Sequence, residues 1–373
     1  MWVRNVLDDH GEAALKAYRY KSGGYSWLDN LMNPFWEAVA DRFPMWLAPN
    51  LVTLSGTLFL FVSFFVSLSY TPYLEGNAPA WTYVLHAVCL FAYSTLDACD
   101  GKQARRTGAS SPLGQMFDHG CDALACTLII LPFCGMLQLG LGVVSVVMVS
   151  SVILPFFMAQ WEEYHTHTIR THVGFAGVTE GQYIIVACQL ATAVFGGDAA
   201  TLWWTTIIPL PGVNITAGLV AVLFQCGSSA FTMWSFFHNV TVSKGKPGAA
   251  VQLLPVVVHI AFTLFTVTAL TEASGLAFTF VFTQCLTMSY LVAQIIVYGL
   301  CRMPYPLVQP TVGLGFALYA NLVFGLVPPA AAQLTVTGVV VALYATWVLG
   351  AIHQISSILG IECFRIKPKP AQD

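Results

Sequence analysis

The stretch that decides this sequence runs from Leu96 to Leu124 and reads LDACDGKQARRTGASSPLGQMFDHGCDAL. It sets four aspartates, Asp97, Asp100, Asp118 and Asp122, at the mouths of two long apolar runs. A charge at mid-membrane costs at least ~2.5–3.5 kcal/mol, so a membrane segment normally sheds its acids. Asp97 and Asp100 are three positions apart, and Asp118 and Asp122 four. On helices both spacings put the two carboxylates on one face. Two facing helices can therefore bring four carboxylates to one point, where they repel unless a cation lies between them. Mg2+ or Mn2+ suits this oxygen-only ligand set, with substrate phosphate filling the remaining positions. Zinc does not, because Cys99 and Cys121 lack a finger-like spacing.

Composition fixes the surroundings. The chain has 373 residues, 57% hydrophobic and 9% charged, against roughly 25% charged in soluble domains. Apolar runs near 20 residues recur, each long enough to cross about 30 Å of hydrocarbon. The expected fold is all-α: a polytopic membrane protein with about ten transmembrane helices plus an N-terminal interfacial amphipathic helix. The expected spans are 50–70, 80–98, 118–138, 141–160, 182–196, 215–238, 251–271, 276–300, 308–327 and 334–356. With ten crossings, the loops 71–79, 139–140, 197–214, 272–275 and 328–333 carry no Lys or Arg, and all 15 basic residues fall on the other side. The positive-inside rule then puts both termini and the Asp-rich loop in the cytosol. The polar start, MWVRNVLDDHGEAALKAYRYKSGG, has no short apolar core before a small-residue cleavage site, so no cleaved signal peptide is expected. The ten cysteines lack paired spacing and read as small buried hydrophobes.

Three divisions are expected. Residues 1–46 form a cytosolic segment with the interfacial helix, 47–242 a six-helix catalytic domain, and 249–373 a four-helix region with a short cytosolic tail; SKGKPG at 243–248 links the last two. In NPFWEAVADRF, Asn33 is the expected helix cap and Pro34 the first helical residue. Phe35, Trp36, Val39 and Phe43 then form an apolar stripe opposite Glu37, Asp41 and Arg42.

The residues between the acids fit a phosphorylated nucleotide. Gly101 and Ala104 are small enough for close backbone approach, Arg105 offers a planar fork for phosphate, and Gly114 opens the next helix without a blocking side chain. His119 lies between two of the acids, and an imidazole there suits a general base; Asp122 is its rival. Trp161, Glu162, Glu163 and Tyr164 end the fourth span. Aromatic faces with a carboxylate suit a quaternary ammonium, although Trp and Tyr also anchor helices at interfaces. Glu180 is a further candidate for that cavity. His86 and His259 are mid-span and expected to be hydrogen-bonded between helices. Asn214 and Asn239 begin N-x-T sequons, the second expected to be cytosolic and inert.

The eight residues Asp97, Asp100, Gly101, Ala104, Arg105, Gly114, Asp118 and Asp122 match, without departure, the signature of the CDP-alcohol phosphotransferases. FPMWLAPNLVTLSG at 43–56, WEEYHTHT at 161–168 and GVTEGQY at 177–183 resemble the eukaryotic choline/ethanolamine phosphotransferase branch, with His167 where a small residue is expected. The similarity covers about residues 15–245. It implies transfer of phosphocholine or phosphoethanolamine from CDP-choline or CDP-ethanolamine to diacylglycerol, with release of CMP. It also implies that Asp97, Asp100, Asp118 and Asp122 divide two Mg2+ or Mn2+ ions, that Asn50 and Arg105 hold the CDP part, and that His119 accepts the proton. The resemblance further implies a homodimer in the endoplasmic reticulum or Golgi membrane, and no nucleic-acid partner. Within the family, a phosphatidyltransferase using CDP-diacylglycerol is the alternative, disfavoured by the four extra spans. An intramembrane prenyltransferase would cluster its acids on two separate helix pairs and lack the Gly-Ala-Arg-Gly spacing. A cation transporter would carry polar residues on through the bilayer, whereas these acids gather at one face.

Overall fold

A computed structural model describes residues 7–18, 21, 23–174, 176–196, 202–210, 213–270 and 276–366. Arg4, Arg19, Lys367, Lys369 and the loop 272–275, which enter the charge asymmetry, lie outside the described residues. Two short helices, α1 (Asp9–Ala17) and α2 (Trp27–Ala40), precede ten longer ones. These are α3 (Pro49–Tyr70), α4 (Ala80–Thr107), α5 (Pro112–Met136), α6 (Val143–Thr166), α7 (Val178–Phe195), α8 (Ala217–His238), α9 (Leu254–Leu270), α10 (Ala277–Leu300), α11 (Pro310–Phe324) and α12 (Pro329–Leu359). Two small antiparallel hairpins flank α7: His172–Val173 with Ala176–Gly177, and Ile207–Leu210 with Val213–Thr216.

Each of the ten expected spans falls on one of the helices α3 to α12. Among the described residues, eight helices are long and apolar enough to cross a membrane. The two others have identifiable reasons for falling short. At 15 residues α11 is brief. In α4 a single unbroken helix of 28 residues, about 42 Å long at ~1.5 Å per residue, carries Asp97, Asp100, Lys102, Arg105 and Arg106 on its last turns. The chain thus puts its acids on the continuation of a span.

Two helix starts differ from expectation. In α2 the helix begins at Trp27, because Ser26 and Asp29 form a reciprocal capping box there. Pro34 consequently lies inside the helix, and the Asn33 amide donates to Glu37 Oε1 at 2.7 Å rather than capping. The apolar surface also divides. Trp36 and Ala40 bury against Cys99 of α4, whereas Trp27, Leu31 and Phe35, spaced by four, stay exposed as one stripe. In α5 the helix begins at Pro112, with the Ser111 hydroxyl accepting from the Gly114 N–H at 3.1 Å. Gly114 is therefore the third helical residue, and Asp118 and Asp122 sit on the second and third turns.

The interior is built around α5, which packs on α3, α6 and α10. α10 is the most enclosed span, 94% of its apolar window being buried, and the Ser289 hydroxyl donates to the Ala123 carbonyl of α5 at 2.9 Å. The polar mid-span residues divide between paired and unpaired groups among the described residues. His86 Nδ1 pairs with the Ser63 hydroxyl of α3 at 2.8 Å. His259 is 2% exposed between α9 and α10, and its Nε2 finds no partner among the described residues.

Candidate active site

α4 lies beside α3 and touches α5, and the three helices converge on the aspartates. One carboxylate oxygen from each of Asp97, Asp100 and Asp118 lies within 4.8 Å of the others. Asp100 is buried and accepts a hydrogen bond from the Thr53 hydroxyl of α3. Asp122 and Asp118 both face Asp97, and Asp122 Oδ1 accepts from the Tyr93 hydroxyl at 2.5 Å. Asp97 Oδ1 is buried with no partner among the described residues. Two such charges about 4 Å apart repel by about 4 kcal/mol at an effective dielectric of about 20. Hard oxygen donors, mutual repulsion and an orphaned buried oxygen together fit a divalent cation.

The other signature residues frame this cluster. Arg105 is exposed and makes no ion pair among the described residues. Its guanidinium passes over Gly101, where a Cβ would lie 3.6 Å from Nη1. Ala104 is half-buried one turn from Gly101, its carbonyl accepting the Ala109 N–H where the helix ends. Gly114 faces Asn50, whose Oδ1 would lie 3.7 Å from an added Cβ. The Asn50 amide in turn donates to the Cys363 carbonyl at 2.9 Å.

Two neighbours inside the signature act structurally. Gln103 is fully buried and donates to the Pro44 and Leu47 carbonyls, both at 3.0 Å. Arg106 donates to the Ala40 carbonyl at 2.6 Å and the Phe43 carbonyl at 3.2 Å. Together they clamp the turn between α2 and α3, which delivers Asn50. Their polarity within the motif was the available signal, and it reads equally well as substrate contact.

His119 is 8% exposed, with Nε2 3.9 Å from Asp118 Oδ2. Its Nδ1 lies 3.3 Å from Oε1 of Gln160, a buried residue of α6 that sequence reasoning missed. With Gln160 as acceptor the Nδ1 carries the proton, which leaves a lone pair on Nε2 toward the acids.

The run that ends α6 splits its side chains. Glu163 Oε1 accepts from Gln115 Nε2 at 2.7 Å and from the Tyr18 hydroxyl at 3.1 Å. Tyr18, Gln160, Glu163, Tyr164 and His167 line one cavity against α10. The Tyr164 hydroxyl donates to the Met303 carbonyl at 2.8 Å, so its ring rather than its oxygen is available there. Glu162 points elsewhere: it is 1% exposed, gripped by Arg170 Nε at 2.8 Å and Nη2 at 2.5 Å, and bonded by Asn239 at 2.6 Å. That bond occupies the Asn239 sequon. Trp161 is fully buried against Phe237, so it serves neither as interface anchor nor as an open headgroup face. Glu180 does not line the cavity; its Oε1 takes the Leu28 N–H at 3.4 Å at the start of α2.

These features define a class, the all-α polytopic membrane protein that gathers carboxylates from adjacent helices into one cluster able to hold a cation. Comparison with known sequences narrows it. The family model described as CDP-alcohol phosphatidyltransferase matches residues 46–211. Choline/ethanolaminephosphotransferase 1 of Arabidopsis thaliana is 34% identical over 97% of this chain and 98% of its own length. Cholinephosphotransferase 1 of Saccharomyces cerevisiae is 29% identical over 95% and 96%, and choline/ethanolaminephosphotransferase 1 of the same yeast 31% over 81% and 80%. The chain belongs to the CDP-alcohol phosphatidyltransferase family.

Proposed function

We propose that this protein transfers phosphocholine or phosphoethanolamine from the CDP-alcohol to diacylglycerol, releasing CMP. The observation that carries the reading is the meeting of one oxygen from each of three carboxylates within 4.8 Å, with Asp97 Oδ1 buried and without a partner among the described residues. The relatives of nearly equal length, named for choline and ethanolamine phosphotransfer, support the choice of substrates.

Asp97, Asp100, Asp118 and Asp122 would hold two divalent ions, Mg2+ or Mn2+. Bound there, such ions neutralise a diphosphate and the charge that develops on its leaving half. Arg105, exposed and without an ion pair among the described residues, binds phosphate oxygens, and Asn50 with Gly114 faces the nucleoside. Gly101 and Ala104 keep the intervening helix surface low. Glu163 and the Tyr164 ring beyond Gln160 would meet the headgroup cation by charge and cation–π attraction once the cavity there, about 10 Å³ and room for one water, widens.

The diacylglycerol hydroxyl attacks the phosphorus that bears the headgroup. The bond from that phosphorus to the bridging oxygen breaks, and CMP leaves with that oxygen. His119 Nε2 takes the hydroxyl proton, with Gln160 holding the ring and Asp122 as the alternative acceptor. The exposed stripe Trp27, Leu31 and Phe35 lays α2 in the membrane interface. The basic residues then set this end of the bundle in the cytosol, in an endoplasmic reticulum or Golgi membrane and within a homodimer, as the family resemblance implies.

The test is metal-dependent release of CMP from CDP-choline by the purified protein with diacylglycerol. Asp118→Asn is the control. Release by wild type that is lost in the variant supports the reading; no release from CDP-choline or CDP-ethanolamine at any divalent ion concentration ends it.

A further inference from the structure

Asn50 lies in the first turn of α3 and is 7% exposed. Its Nδ2 donates to the Cys363 carbonyl at 2.9 Å and reaches Cys363 Sγ at 3.4 Å. An amide has a donor end and an acceptor end. Committing the donor end to residue 363 turns Oδ1 toward Gly114 and the cleft.

Residue 363 belongs to the segment that leaves α12. Gly360 adopts φ 65°, which reverses the chain, and the Ile361 N–H closes the helix on the Ser356 carbonyl at 3.1 Å. Ile361 and Cys363 then pack against the core that α5, α6 and α10 share. Phe364 meets Phe117 edge to face, centroids 5.5 Å apart at 87°, and stays 42% exposed. Phe117 directly precedes Asp118. The last described residues therefore cross the ends of α3 and α5 beside the acid cluster.

We infer that Cys363 and Phe364 complete the nucleotide end of the site. The Cys363 carbonyl holds Asn50 with Oδ1 presented as an acceptor for the amino group of a cytosine ring. Phe364, steadied by Phe117, gives that ring an aromatic face. Cys363 is a positioning residue acting through Asn50, and the helices behind α8 thereby contribute to nucleotide recognition. The inference rests on the proposed reading that a CDP-alcohol occupies this cleft.

The experiment uses the full-length protein in mixed micelles with Mg2+, diacylglycerol and CDP-choline, and separately measures CMP binding by calorimetry. Loss of one stacked aromatic is expected to weaken base binding about tenfold. Phe364→Ala should raise KM for CDP-choline and Kd for CMP by that factor, leave KM for diacylglycerol unchanged, and be rescued by Phe364→Trp. Phe364→Leu keeps apolar volume, so a raised CMP Kd at an unaltered melting temperature supports the role even if the alanine variant folds poorly. Unchanged values in the leucine variant overturn it. So do lowered values, which would make the segment an obstruction. A wild type that binds CMP but transfers nothing sinks the transfer reading and not this one.

Discussion

The Tyr93 hydroxyl donates to Asp122 Oδ1 at 2.5 Å, joining α4 to α5 one helical turn before Asp97. One oxygen of Asp122 is thus fixed, and the carboxylate is aimed at Asp97. Outer partners of this kind typically change metal affinity or activity about 10–100-fold when removed. Tyr93→Phe should lower kcat/KM within that range and raise the Mg2+ concentration giving half-maximal rate in step. An unchanged metal requirement would show that the hydroxyl only packs.

The same bond bears on the base. Asp122 has one oxygen already committed to a phenol, whereas His119 Nε2 is directed toward Asp118 at 3.9 Å. General base catalysis contributes about 10²–10⁴-fold. His119→Ala should therefore reduce kcat at least about 100-fold with KM for CDP-choline little changed. Turnover near wild type would move the role to Asp122.

Removal of divalent ions leaves the carboxylates of Asp97, Asp100 and Asp118 facing one another with nothing between them. Chelation should abolish CMP release, and Mg2+ or Mn2+ should restore it. Binding to the folded state alone adds about 2.7 kcal/mol of stability at 100 times Kd. The melting temperature of wild type should thus rise with added ion. Asp97→Asn relieves repulsion, so it should melt higher than wild type in chelator and gain less from the ion. Equal gains in both proteins would place the ion elsewhere.

The acid cluster was legible because it is local: spacings of three and four impose one helical face whatever the tertiary context. Eight of the ten expected spans were legible because apolar length is itself the physical requirement for crossing; α4 and α11 fall short of it, one through its charged last turns and the other through its 15 residues. Other features depend on partners that sequence distance hides. Asn50 and Cys363 are 313 positions apart, and Gln160 reaches His119 from a different helix. Pro34 misled because a capping box at Ser26 and Asp29 starts the helix before it. Glu162 and Glu163 are adjacent, yet about 100° of helical rotation separates them (~3.6 residues per turn), so one is buried on Arg170 while the other faces the cavity.

That divergence is testable by separating stability from binding. Removing one partner of a buried ion pair costs about 3–5 kcal/mol. Arg170→Ala leaves Glu162 buried and uncompensated, so it should lower the melting temperature or the folded yield sharply. Adding Glu162→Gln should recover part of the loss. Glu163→Gln should leave the melting temperature near wild type while raising KM for CDP-choline about tenfold, a loss of roughly 1.4 kcal/mol. A stability loss in Glu163→Gln with unchanged KM would reverse the two roles.

His167 closes α6 in the left-handed region, at φ 55° and ψ 31°. A side chain with a Cβ pays roughly 1–2 kcal/mol there, which glycine does not. Burial holds the imidazole below its usual pKa, and the neighbouring Arg302 and Lys246 push it the same way. A histidine whose folded pKa is lowered binds more protons unfolded than folded. Its folded state therefore loses stability as pH falls through the unfolded value, about 6.5. His167→Gly removes both penalties. The variant should melt higher than wild type at pH 7.5, by an amount corresponding to about 1 kcal/mol, and the advantage should widen at pH 5.5. An advantage that shrinks on acidification would mean that the folded protein stabilises the charged ring. Melting below wild type at both pH values would show that contacts of the imidazole outweigh the backbone strain.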